Sequence, residues 1–357
     1  MRRLIPLLGL ALLATPGSGN AQRDSSSIDA ELLQRPDVTR YIDFFTGPAR
    51  DRMSQWLNRG TRYRELIDEH LEREGLPREF AYLPMIESGF SNTAVSRAGA
   101  VGMWQFMPAT ARDYGLRVDR WVDERRDPFR ATDAAVRHIR DLNRTFGSSL
   151  VAAAAYNGGA GRLTRSLAQL RGVSLREGGS ATDQDFFALA GRGMVAKETQ
   201  NYVPQLLAAA IIGRDPTRFG FSVDSLAPIA VDSIRLEKPI RLAAAEQALG
   251  LDRQTLTQLN PQFLLGVTPP GGAWLRIPAD AESGAAERLN GLPSASLHRL
   301  EDRPRYRLGE LVRVKRGDSL GDIARRHGVD EAALRRINAI PEWYRIRAGQ
   351  ALRLPAS

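Results

Sequence analysis

Residues 127–161 read DPFRATDAAVRHIRDLNRTFGSSLVAAAAYNGGAG, and this stretch decides the fold class. Asp127 stands just before Pro128, the arrangement of a helix N-cap followed by proline at the first helical position. Ala135, Ile139, Leu142 and Phe146 then recur three and four residues apart and share one apolar face. Gly147 ends the run, as glycine does at helix C-termini. A second apolar helix over 149–156 breaks at Asn157-Gly158-Gly159. Upstream, Pro77 opens a helix with Phe80, Leu83 and Ile86 on its apolar side. Downstream, another apolar helix spans about 199–212. No alternating strand pattern interrupts 41–213, so the spacing predicts an all-α domain.

Beyond this domain the texture changes. Leu249-Gly250-Leu251-Asp252 matches His327-Gly328-Val329-Asp330, and Leu259-Asn260 matches Ile337-Asn338. Leu256 matches Leu334, and Leu275-Arg276-Ile277-Pro278 matches Leu352-Arg353-Leu354-Pro355. A small repeated unit explains these pairs. Each copy reads strand, helix, helix, strand: in the second, 312–314, 319–327, 330–337 and 351–354. The first copy lacks the Gly317-Asp318-Ser319-Leu320 opening. That string resembles the signature of an esterase class. A serine nucleophile needs a histidine in reach, and only His327 follows, in the same short helix. Asp318 and Ser319 read instead as N-cap residues.

The start of the chain reads as an export signal. Arg2 and Arg3 precede an apolar run from Leu4 to Ala14, then small residues through Gly19-Asn20-Ala21. A buried N-terminal helix is the alternative. The run is far short of the ~20 residues that span a bilayer, and no later stretch is long and apolar enough. With no cysteine in the chain, disulfides, thiolate metal sites, a cysteine nucleophile and a lipidated cysteine are excluded. His70, His138, His298 and His327 show no metal-ligand spacing. The expected location is the periplasm or cell envelope. The net charge is +9, and residues 301–357 hold 13 basic and 8 acidic side chains. An exported chain rarely meets nucleic acid, so a polyanionic wall or membrane surface is the expected partner.

Glu87 is the leading candidate for chemistry. Phe80, Leu83 and Glu87 share one helix face, which sets a carboxylate at an apolar edge where desolvation raises its pKa. A general acid at neutral pH wants such a shift. Taken alone, Glu87 reads first as a solvated glutamate at a helix end; its context reverses that reading. Its context adds Ser88-Gly89-Phe90, Ser96 and Gly99-Ala100-Val101-Gly102-Met103-Trp104-Gln105-Phe106-Met107-Pro108. The Gln105 amide suits sugar hydroxyl and acetamido groups, and Trp104 and Met107 suit apolar sugar faces. Ala155-Tyr156-Asn157-Gly158-Gly159 and Glu198-Thr199-Gln200-Asn201-Tyr202-Val203 follow.

This set of motifs resembles the soluble-lytic-transglycosylase catalytic domain, a goose-lysozyme-like fold, and most of all the D-type membrane-bound lytic murein transglycosylases. The resemblance covers about 41–220 plus the C-terminal module, which resembles a LysM. It implies a mainly α protein: a lysozyme-like all-α catalytic domain, then a degenerate LysM-like βααβ unit, then a LysM βααβ domain. The implied order is signal peptide 1–21, flexible lead-in 22–40, catalytic domain 41–220, LysM-like unit 221–280, linker 281–304 and LysM 305–357. It also implies Glu87 as catalytic acid/base, with Ser96, Gln105, Met107, Tyr156, Asn157, Glu198 and Tyr202 lining a glycan groove. Met107 and Tyr202 also read as plain core, Asn157 as a helix C-cap, and Glu198 as a surface charge. Trp104 stands where many relatives have methionine.

Most glycosidases use two carboxylates, whereas one stands in a convincing setting here. One suffices if N-acetylmuramic acid supplies its 2-acetamido oxygen and its 6-hydroxyl. Glu87 then protonates the leaving oxygen of the β-1,4 bond and takes the proton from that hydroxyl, closing a 1,6-anhydro ring with no metal or cofactor. The rival readings are a lysozyme-like hydrolase, with Asp119, Asp123, Glu124 or Asp127 holding water, and a catalytically inactive wall-binding LysM protein.

Overall fold

The structure, a computed structural model, describes residues 32–175, 177–281, 284–297, 308–338, 340, 346 and 348–355. The expected signal 1–21 and residues 22–31 of the lead-in lie outside these. The chain divides into two compact units, 1–90 with 136–227 and 91–135 with 228–357.

The first unit is helical. It holds α1 (Pro36–Thr46), α2 (Arg50–Thr61), α3 (Arg64–Arg73) and α4 (Leu83–Ser88). After α5 (Pro108–Asp113) in the other unit, α6 (Pro128–Phe146) contains the division between units. The first unit continues with α7 (Ser149–Gly158), α8 (Ala160–Arg171), α9 (Asp183–Gly191) and α10 (Lys197–Arg214). α10 is buried nearly all round, from Thr199 and Tyr202 through Ile212, as a central helix must be. It packs against α1 and α7. The small buried run Ala152 to Ala155 on α7 lets the two backbones approach.

Local chemistry sets the helix ends. Asp127 accepts the N–H groups of Phe129 and Arg130, each at 3.0 Å, and Gly147 leaves α6 at φ 75°. Ser148 caps α7 by accepting the Val151 N–H at 3.2 Å. Two expectations change. The lead-in 22–40 is already helical from Pro36, whose ring suits the first turn, and Val38, Ile42 and Phe45 bury one face. The helix expected from Pro77 is two pieces, a 3-10 turn Arg78–Tyr82 and then α4. Pro84 is the reason: with no N–H it cannot continue a helix from Phe80, but it fits the first turn of a new one.

In the second unit, β1 (Val231–Leu236), α11 (Leu242–Leu249), α12 (Thr255–Leu259) and β2 (Ala273–Pro278) form the first βααβ copy. Helix α13 (Ala285–Gly291) follows inside the expected linker 281–304, and its Ala285 and Leu289 join the core of that copy. The linker therefore begins later than expected; its residues 298–304 lie outside the described ones. β3 (Leu308–Arg313), α14 (Leu320–Arg326), α15 (Glu331–Ile337) and β4 (Ala351–Pro355) form the second copy. Both strand pairs are antiparallel.

The repeat extends to hydrogen bonds. Asn260 donates to the carbonyls of Leu256 and Arg276 and accepts the Arg276 N–H, all within 2.9 Å. Asn338 does the same with Leu334 and Arg353, all within 2.8 Å. One side chain thus ties the second helix to the last strand in each copy. The copies differ at the first helix. Ser319 caps α14 and forms a capping box with Asp322, whereas α11 has no side-chain cap. Asp318 is not a cap; its carboxylate accepts the Lys315 N–H and pairs with Arg326.

Candidate active site

Glu87 occupies the last turn of α4, and its surroundings within the first unit are tightly built. Gly89 ends the helix at φ 60°, where a Cβ would lie 2.1 Å from the Trp56 indole nitrogen. The Arg59 guanidinium donates to the Gly89 carbonyl at 2.6 Å. Phe90, also left-handed at φ 59°, stacks on Tyr63 with centroids 6.3 Å apart. The strained turn behind Glu87 is thereby clamped.

The Tyr202 hydroxyl, buried on α10, donates to Glu87 Oε1 at 2.6 Å. Burial pushes the Glu87 carboxyl up from its ordinary 4.5 to about 7, although the Tyr202 hydrogen bond pulls it down; the Glu198 charge adds to the rise. Glu87 as a whole is only half-buried, so one edge stays open to a ligand while the carboxyl has lost most of its water. Burial holds the Tyr156 and Tyr202 phenols well above their ordinary 10, and both remain protonated donors.

Asn157 joins α7 to α10. Its Nδ2 donates to Glu198 Oε1 at 3.2 Å, and its Oδ1 accepts from the Thr199 hydroxyl at 2.9 Å. It is a tie rather than a helix C-cap, since α7 runs on to Gly158. Glu198 is exposed in the first turn of α10. The His138 ring packs near Tyr156, centroids 5.3 Å apart, and burial drops its pKa to about 4, so it is neutral.

Ser96, Gln105 and Met107 belong to the second unit. Ser96 closes a turn, its hydroxyl accepting the Ala100 N–H at 3.0 Å. Gln105 sits at φ 50°, and its Nε2 donates to the Gly102 carbonyl at 2.8 Å, which leaves Oε1 for a ligand. Met107 is 43% exposed and not core. Trp104 overturns its expectation: it is 0% exposed and donates to the Thr132 hydroxyl on α6 at 3.0 Å. It is core and cannot stack on a sugar.

Arg125, which the sequence did not single out, holds this loop together with Asp123. Arg125 and Asp123, each side chain 7% exposed, pair at 2.8 Å. Arg125 Nη1 donates to the carbonyls of Gly99 and Phe106, both at 3.1 Å. A Cβ on Gly102 would lie 1.8 Å from the Arg125 carbonyl oxygen. Every carboxylate weighed as a water-holding partner has structural duty. Asp123 is paired, Asp127 caps α6 and pairs with Arg276, and Asp119 accepts the Trp121 and Val122 N–H groups. Glu124 accepts the Arg117 N–H at 2.7 Å and faces Arg130.

Residues 65–174 match the family described as the transglycosylase SLT domain. The chain carries a transglycosylase SLT domain. Glu198 and Tyr202 lie beyond the matched range of this SLT domain. Residues 230–294 match the LysM-like domain of lytic transglycosylase MltD, and residues 312–355 match the LysM domain. The chain is 29% identical over 300 residues to membrane-bound lytic murein transglycosylase D of Escherichia coli K12, covering 82% of this chain. It spans 63% of that relative's length. Over 79 residues it is 48% identical to peptidoglycan transglycosylase gp16 of Escherichia phage T7, covering 22% of this chain and 6% of that one. A solved structure of the 70 kDa soluble lytic transglycosylase of Escherichia coli covers 56% of this chain and 32% of that chain at 20% identity, with a TM-score of 0.39.

Proposed function

We propose that the protein is a peptidoglycan lytic transglycosylase of the cell envelope. In this reading it cleaves the β-1,4 bond between N-acetylmuramic acid and N-acetylglucosamine and leaves a 1,6-anhydro end. The observation that carries the proposal is the desolvated Glu87 carboxyl, raised to about 7 and bonded to the Tyr202 hydroxyl. Such a group is about half protonated at neutral pH, and its protonated form can deliver the proton to the leaving glycosidic oxygen as the C1–O4 bond breaks,. The substrate's acetamido oxygen stabilises C1. The resulting carboxylate takes the proton from the 6-hydroxyl, whose oxygen then bonds to C1, and Glu87 is restored.

Three supports stand beside this one: the SLT domain match, the names of the relatives, and the structural duty of Asp119, Asp123, Glu124 and Asp127. That duty argues against a water-activating second carboxylate. Tyr202 orients Glu87, and Tyr156, Asn157 and Glu198 line the glycan groove beside it; by the family resemblance Ser96, Gln105 and Met107 also contact glycan. Residues 1–21 act as the export signal, and the LysM holds the enzyme on its insoluble substrate.

The pH profile tests the acid role. For soluble glycan strands kcat/KM should be flat at low pH and fall as pH rises through about 7,. Tyr202→Phe removes a bond that favours the carboxylate, so the fall should move to higher pH. Glu198→Gln removes a like charge, so it should move to lower pH. Opposite movements are the signature; a fall near 4.5 in all three proteins would remove Glu87 from the acid role.

The LysM has a core of its own, built from Val314, Leu320, Ile323, Leu334 and Leu352. Deleting 305–357 should therefore spare cleavage of soluble strands and weaken retention on sacculi, by loss of effective concentration. Co-sedimentation compares the two forms, and equal retention would deny the LysM its anchoring part.

A further inference from the structure

The outer face of the β1–β2 hairpin has no part in the chemistry above. In this antiparallel pair Arg235 lies opposite Trp274, and Ser233 opposite Arg276. Side chains alternate along a strand. Ile234, Leu236, Leu275 and Ile277 go to the LysM-like core, which leaves Arg235, Trp274 and Arg276 on the other face. With the 117–130 segment this face encloses a cleft of about 680 Å³, within the ~300–1,000 Å³ usual for ligand sites.

The lining has a definite chemistry. Trp274 is 60% exposed, more than any other large hydrophobic among the described residues. Four arginines, at 117, 130, 235 and 276, face two carboxylates, Glu124 and Asp127, so the cleft carries excess positive charge. Arg276 is committed, paired with Asp127 and set 4.5 Å over the Phe129 ring. It forms a rigid wall. Arg235 differs: its partner is Glu237 at 3.0 Å, and the side chains are 44% and 74% exposed. Such surface pairs contribute little, so this guanidinium can change partner at small cost. A flat indole therefore stands across the strands from an exchangeable guanidinium. An indole stacks on the apolar face of a sugar ring, and a guanidinium takes a carboxylate through two parallel hydrogen bonds.

We propose that this cleft binds an acidic glycopeptide unit, a muramyl residue with its peptide stem, the sugar on Trp274 and a stem carboxylate on Arg235. The choice of peptidoglycan rests on the function proposed above; the cleft's demand for a sugar ring beside a carboxylate does not. Site-specific observation tests it. The full chain carrying Glu87→Gln, to prevent turnover, is labelled with 5-fluorotryptophan. Trp274 is then assigned among the five tryptophans by Trp274→Phe. Titration with a tetrasaccharide of two N-acetylglucosamine–N-acetylmuramic acid–tetrapeptide units should shift the Trp274 fluorine signal saturably. Adding Arg235→Gln should raise the midpoint about tenfold or more, as loss of a charge-assisted bond does, and neutral chitotetraose should be weaker by a similar factor. An unmoved Trp274 signal, or equal midpoints with and without Arg235, overturns the proposal. Wild-type protein is assayed on sacculi in parallel. Cleavage with an unmoved signal removes the cleft and leaves the function standing. No cleavage with a saturable signal removes the function and leaves the cleft as an acidic-glycopeptide site.

Discussion

Glu87→Gln is expected to abolish release of glycan fragments from sacculi while the protein stays folded and still binds glycan. The amide keeps the shape of the carboxyl and an acceptor for the Tyr202 hydroxyl, but it has no proton to deliver. One acid-base residue typically contributes about 10²–10⁴-fold. The loss should reach or exceed the upper figure, because one group serves both proton transfers. Stability supplies an independent check. The folded protein raises the carboxyl from 4.5 to about 7, so the charged form opposes folding. That opposition is absent below pH 4.5, grows as pH rises through the interval, and is complete above about 7. Glu87→Gln should thus equal the wild type in stability at pH 4. At pH 8 it should be the more stable, by on the order of 3 kcal/mol at most. Denaturant unfolding at the two pH values reads the difference; a variant less stable at pH 8 would mean that the carboxyl is not desolvated.

Arg125→Met should be the most damaging change outside the chemistry. It leaves Asp123 as a buried charge without its 2.8 Å partner and strips the carbonyls of Gly99 and Phe106 of a donor. Breaking one side of a buried pair costs about 3–5 kcal/mol. Asp123→Asn added to Arg125→Met should recover part of it, because no naked charge then remains. Denaturant unfolding and limited proteolysis within 91–127 measure both. A loss below about 1 kcal/mol, the level of surface pairs, would show that this pair does not hold the loop.

The helix ends were legible because each is settled within a few residues: Asp127 with Pro128, and Gly147 at positive φ. The two βααβ copies were legible because the repeat retains residues with fixed duties, Asn260 and Asn338 above all. The rest depends on distant partners or on a local detail within a helix. Trp104 reads as a sugar platform until its hydrogen bond to Thr132, 28 residues on, buries it. The Tyr202–Glu87 bond spans 115 residues, and only the family resemblance put the two in one site. Arg125 had no signal, since a buried arginine looks like a surface one in sequence. Pro84, by contrast, was visible and predicts the break before α4. The Val38, Ile42 and Phe45 spacing likewise marked α1.

The most direct test of the central claim is the chemistry of the new glycan ends. Sacculi digested by the wild-type protein are analysed by liquid chromatography with mass spectrometry, before and after borohydride. A transglycosylase leaves 1,6-anhydro-N-acetylmuramic acid, which has no free hemiacetal, resists reduction, and weighs one water less than the hydrolysis product. The desolvated Glu87 acid, with Asp119, Asp123, Glu124 and Asp127 all held by other partners, predicts that product. Ends that borohydride reduces, at the hydrated mass, would mean that water is the nucleophile and that the protein is a hydrolase.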